Sequence, residues 1–177
     1  MKIPRGKLRG MRSLLDPSPH DEERPQRGIS MTGKEVKIVW DVTIGNEALF
    51  EDRMGLIQQT ADVIRRKGMT PKFVLVVHGP ATKFMTRSLN GTRFENEQIR
   101  RLPDIQRVMA VMSEKDRMRF VQCQVPMIRN NVADDNVLTF VDVAETVFFD
   151  LAVLQMEGYA YIPINETGIP APRELAP

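Results

Sequence analysis

Phe73-Val74-Leu75-Val76-Val77, broken off at once by His78-Gly79-Pro80, is the stretch on which the fold turns. The run is apolar throughout, with no alternation of apolar and polar positions. That is the pattern of a strand covered on both faces, and such strands belong to parallel sheets packed between helices. Upstream, Val36-Lys37-Ile38-Val39-Trp40-Asp41-Val42 is another β-branched run, and Thr43 to Asn46 supply a turn after it. Between these two strands Phe50, Met54, Ile57, Ala61 and Ile64 fall 4, 3, 4 and 3 residues apart, which is one face of an amphipathic helix. Arg65-Arg66-Lys67 before Gly68 suits the negative end of that helix and its cap.

Downstream of Pro80 the same alternation continues. Residues 88–98 form a polar surface connection, and Pro103 then opens a helix carrying Ile105, Val108, Met109 and Met112. Residues 119–123 read as a third strand and residues 137–141 as a fourth. Asp142 and Glu145 stand at capping-box spacing before a helix over residues 143–157. Gly158 closes it, and residues 159–164 give a fifth strand. Strands alternating with helices, without hairpin signals, predict an α/β three-layer sandwich with a mostly parallel five-stranded sheet over residues 34–165.

The chain's 177 residues, 42% hydrophobic, suffice for one ordinary core. Residues 1–33 contain Pro4, Pro17, Pro19 and Pro25 and lack periodicity, so a flexible basic arm is expected there, with docking on a neighbouring subunit as its other use. The first 30 residues hold seven Lys or Arg against four Asp or Glu, leaving 18 against 19 for the rest. The basic excess therefore sits in the arm, and a net charge of +2 without a basic patch argues against a nucleic-acid partner. Residues 166–177 read as a proline-rich tail. No apolar stretch follows the basic start and no run approaches ~18 apolar residues, so neither a secretion signal nor a membrane span is expected. A single cysteine cannot form an intrachain disulfide, which fits a reducing, cytoplasmic compartment.

GxGxxG after the first strand, GxxxxGK[ST] and GxSxG are all absent, so dinucleotide binding, nucleotide hydrolysis and α/β-hydrolase chemistry lack their signatures. With only His20 and His78 beside the lone thiol, neither a metal site nor a cofactor is expected. Cys123 ends a predicted parallel strand, the place where reactive groups gather in open sheets, and Gln124 to Arg129 look like a following helical turn. The sulfur would then face a crevice near free N–H groups, with Arg129 as a second positive influence favouring thiolate. The competing reading of Cys123 is a small buried hydrophobe. His78 also ends a strand and either serves the same rim as a base or caps the Gly79-Pro80 turn; Asp41 receives no role. The eleven methionines, Met54, Met109 and Met112 among them, suit a core.

Several segments together resemble the DsrE/DsrF-like proteins of the YchN-like fold. They are Lys37 to Val42, Val74-Leu75-Val76-Val77-His78-Gly79-Pro80-Ala81 with Lys83, Phe120-Val121-Gln122-Cys123, and Leu154-Gln155-Met156-Glu157-Gly158-Tyr159-Ala160-Tyr161-Ile162. The resemblance covers about residues 35–164. It implies a homotrimer or homohexamer in intracellular sulfur relay, with Cys123 accepting sulfur as a persulfide and passing it to a partner protein or small thiol. Gln124-Val125-Pro126 stands where small polar residues are expected after that cysteine. A noncatalytic oligomeric scaffold of the same fold, or a small-ligand binder using His78, Gly79 and Arg129, is the alternative.

Overall fold

A computed structural model describes residues 33–166, so the expected arm and tail lie outside the described residues but for Gly33 and Glu166. Its strands are β1 (Glu35–Val42), β2 (Thr70–Val77), β3 (Arg119–Cys123), β4 (Val141–Ala144) and β5 (Ala160–Ile164). The helices are α1 (Glu47–Arg66), α2 (Thr82–Met85), α3 (Leu102–Asp116), α4 (Gln124–Arg129) and α5 (Val147–Met156). All strands pair in parallel in the order β4-β3-β2-β1-β5, which is the predicted α/β class with five parallel strands.

Local sequence accounts for α1. The Asn46 side chain accepts a hydrogen bond from the Leu49 amide at 3.0 Å, Glu47 sits in the first turn and Arg65 and Arg66 in the last. The buried face holds the predicted Phe50, Met54, Ile57, Ala61 and Ile64, and Arg53 is buried beside them. At the carboxyl ends of β1 and β2 two loops nearly touch: a Cβ on Gly45 would lie 2.6 Å from Pro80 Cβ, so only glycine fits.

The chain order dictates which face each helix covers. From β1 to β4 the strands add in one direction, and right-handed crossovers keep the intervening helices on one side. There α1, α2 and α3 bury Phe50, Ile57, Phe84, Ile105 and Met109 against Trp40, Leu75, Val77 and Phe120. From β4 the chain reverses across the whole sheet to β5, so α5 must lie on the other side. It buries Val147, Leu151 and Leu154 against Val39, Val74, Val76, Val121 and Cys123. One helix is the whole of this layer among the described residues.

Two expectations shift. The fourth strand falls at 141–144 instead of 137–141, because Val137 is drawn into a satellite cluster with Phe94, Met127 and Val132, and only the residues after it pair with β3. Asp142 and Glu145 consequently form no capping box. Asp142 instead takes Arg119 across the neighbouring strand at 2.8 Å, and the helix begins only after Thr146. The 88–98 connection is irregular as expected but is pinned down by buried Thr92 and Phe94, and by Glu97, which pairs with Lys83.

Candidate functional site

The parity of each strand decides what gathers on the thin face. Val39 and Asp41 on β1, Val74 and Val76 on β2, and Val121 and Cys123 on β3 alternate toward α5. His78 follows β2 with extended backbone (φ −153°, ψ −179°), so it keeps this parity. Its amide still donates to the Val42 carbonyl, prolonging the ladder. Val77 pairs with Gln122, which sets His78 level with Cys123 on adjacent strands about 4.8 Å apart. On the other flank of β1, Val39 pairs with Tyr161, so Tyr161 faces the same way.

The outcome is a diagonal row across four strands: Tyr161, Asp41, His78 and Cys123. Asp41 Oδ1 lies 2.7 Å from His78 Nε2, and the Tyr161 hydroxyl donates to Asp41 Oδ2 at 2.6 Å. Burial pushes the Asp41 carboxyl up, but the hydrogen bonds from His78 and Tyr161 and the charge of His78 outweigh it and hold the group below its usual value. The same carboxylate, mainly through its hydrogen bond, pushes the Tyr161 phenol up to about 12. The first turn of α5 leans on this row, with the Phe148 ring edge-on to His78 at a centroid distance of 5.7 Å.

Cys123 does not face a crevice. It is 3% exposed, packed with Val121, Ala144 and Val147, because α5 crosses directly over the end of β3. As the residue capping α4 it makes no side-chain cap hydrogen bond, and α4 is only six residues long. Its carbonyl is pinned from the opposite face by Gln122, whose amide donates to it at 2.8 Å and to Thr82 Oγ1 at 3.1 Å. Arg129 closes α4 at the end away from Cys123, exposed and without an ion pair among the described residues. Gly79 adopts φ +60°, the left-handed geometry glycine tolerates, and starts the 3-10 turn Gly79–Ala81. Thus Cys123 and His78 end adjacent strands on one face with no hydrogen bond between their side chains, Gly79 shapes the loop after His78, and Arg129 is not brought to the thiol.

Beside the row a cleft of about 490 Å³ runs between β3, β4 and the first turn of α5, floored by Val121, Val143 and Ala144 and rimmed by Arg119, Asp142, Glu145 and Asp150. Among the described residues no group of three or more His, Cys, Asp or Glu side chains is placed to hold a metal ion. No helix among them is long and apolar enough to cross a membrane.

Sequence reasoning missed Tyr161 and Phe148 and gave Asp41 no role. Parity carried a usable signal for the two polar residues, since Asp41 and Tyr161 each follow a strand residue of matching phase. Using it requires knowing that β5 pairs with β1, and nothing local in the sequence says so.

No family model matches the chain. An uncharacterized protein of Aquifex aeolicus (strain VF5) is 26% identical over 128 residues, 72% of this chain and 56% of that protein, so the chain spans about half the length of this curated relative. Among solved structures, the protein of unknown function MTH1491 from Methanobacterium thermoautotrophicum aligns with a TM-score of 0.55 at 14% identity, over 74% of this chain and 98% of its own. The ychN protein from E. coli aligns with a TM-score of 0.42 at 14% identity, over 76% and 99%. The chain is therefore similar in fold to the MTH1491 protein, with a single parallel α/β sheet and helices on both faces.

Proposed function

We propose that this chain is a sulfur-trafficking protein that accepts sulfur as a persulfide on Cys123 and passes it on, working in the cytoplasm as a homotrimer or homohexamer. The observation that carries this reading is the register of β2 and β3: Val77 pairs with Gln122, so His78 and Cys123, the residues that follow, end adjacent strands on the same face, with the imidazole bound to Asp41. A thiolate is the nucleophile in sulfur transfer, and a thiol beside an oriented histidine is the arrangement that generates one. One cysteine suffices for a relay, because the second thiol belongs to the donor or acceptor, whether protein or small molecule. Phe148, Phe149 and Met156 on α5, 67%, 70% and 87% exposed, support a subunit or partner contact over the same face.

The near-complete burial of Cys123 favours a second reading, a noncatalytic oligomeric scaffold or small-ligand binder of this fold. Mass spectrometry of the native protein before and after incubation with an inorganic polysulfide, with Cys123→Ser beside it, separates the two. The carrier reading expects added sulfur that the variant lacks and a reducing thiol removes. An unmodified wild-type thiol transfers the weight to the scaffold.

A further inference from the structure

The middle of the polar row assigns its own protons. The Tyr161 phenol, held protonated up to about 12, is the donor to Asp41 Oδ2. Asp41, held low, is a carboxylate with both oxygens accepting. His78 Nε2, 2.7 Å from Oδ1, must then carry a hydrogen. In the neutral ring the free lone pair falls to Nδ1, which makes no hydrogen bond among the described residues.

We propose that Asp41 and Tyr161 are positioning residues that lock His78 in its Nε2–H tautomer, so that Nδ1 takes the proton of the Cys123 thiol. This deepens the carrier reading and rests on it for the identity of the thiol's reaction partner. The ionisable groups on the elements packed around Cys123 and His78 are Glu35, Lys37 and Asp41 on β1, Lys72 on β2, Arg119 on β3, Arg129 on α4, Asp142 on β4, Glu145 after it, Asp150 on α5, Tyr159 before β5 and Tyr161 on it. The cations among them have other partners or lie at other ends of their elements: Arg119 is paired with Asp142, Lys72 with Glu35, Lys37 donates to the Glu157 carbonyl, and Arg129 closes α4. The imidazolium formed at His78 supplies the positive charge that a Cys123 thiolate needs beside it.

The step balances without an added oxidant. The Cys123 thiol proton moves to Nδ1, and the thiolate attacks the outer sulfur of a donor persulfide R–S–SH. The donor's S–S bond breaks as a new one forms on Cys123. The departing R–S⁻ takes the proton held by His78, leaving Cys123–S–SH and R–SH. Asp41 and Tyr161 touch neither sulfur and act only through the imidazole.

The tautomer is read directly by long-range nitrogen-15 NMR on the full chain carrying His20→Gln, which leaves His78 as its only histidine. The wild-type network expects the Nε2–H form, and Asp41→Asn expects a shift toward a mixture. The second reading is the pH profile of Cys123 alkylation by iodoacetamide. Asp41→Asn should lower the rate near neutral pH about tenfold and move the midpoint upward, while Tyr161→Phe does the same about twofold to threefold. Asp41→Glu should restore part of the loss, which a merely structural role would not. An Nδ1–H ring in the wild type, an alkylation profile unchanged in both variants, or a thiol inert across the whole range overturns the proposal. Sulfur uptake at an unchanged rate in Asp41→Asn would overturn it while leaving the carrier reading intact. The expected tautomer and profiles without any sulfur uptake would do the reverse.

Discussion

The two faces of the sheet are built on different terms. Under α1, α2 and α3 lies a thick apolar layer in which Phe50, Phe84, Phe120, Leu75 and Met109 are fully buried, and the Phe50 and Phe84 rings stack at 4.1 Å. Under α5 the layer is thin, mostly valine, and gives way at the carboxyl edge to Tyr161, Asp41 and His78. Fully burying a large apolar side chain is worth ~1.5–3 kcal/mol, so the thick face carries most of the fold's stability. That leaves the thin face free to hold polar groups whose burial costs free energy unless each is hydrogen-bonded. The site lies where the cover is a single helix.

If that division is right, the largest loss comes from the thick face. Leu75→Ala, in the central strand, should cost about 2–5 kcal/mol in chemical denaturation, and a loss no greater than that of an exposed site would break the comparison. Next comes the cap that seats α1 on this face: Asn46→Ala should cost about 1 kcal/mol by the same measurement.

On the thin face stability should depend on pH instead. Asp41 is depressed in the folded state, so its contribution is present above the unfolded value of about 4 and is lost as pH falls below that toward the folded one. Tyr161 is raised from 10.0 to about 12, so its contribution is intact below 10 and disappears as pH climbs through that interval. Thermal melts across pH should show both limbs flattened in Asp41→Asn, and in Tyr161→Phe the alkaline limb flattened with the acid limb only partly reduced, because His78 still holds the carboxylate. The smallest expected change in stability is that of Phe148→Ala, within about 0.5 kcal/mol because the ring is mostly exposed, yet it should speed alkylation of Cys123 by loosening the turn above it.

Much of the thick face was legible in the chain itself. The spacing of Phe50 through Ile64, the run Phe73 to Val77 and the placement of Pro103 are local patterns, and each element formed where they point. The fourth strand was misplaced because residues 137–141 look like a strand in isolation, while Val137 finds better burial against Phe94 and Met127. Of the candidate site, Cys123 and His78 were visible as strand ends, and their mutual level was not. The burial of the thiol was equally hidden, since it depends on where α5 crosses the sheet.

The sequence by itself determined the class of the fold and the chemistry on offer, because helix and strand periods, caps and the count of one cysteine are properties of residues near one another in the chain. Only the tertiary structure decided that Asp41, His78 and Tyr161 form one hydrogen-bonded row leading to Cys123. Asp41 and Tyr161 are 120 residues apart and meet because the chain reverses after β4 and lays β5 beside β1, a choice set by the packing of whole strands.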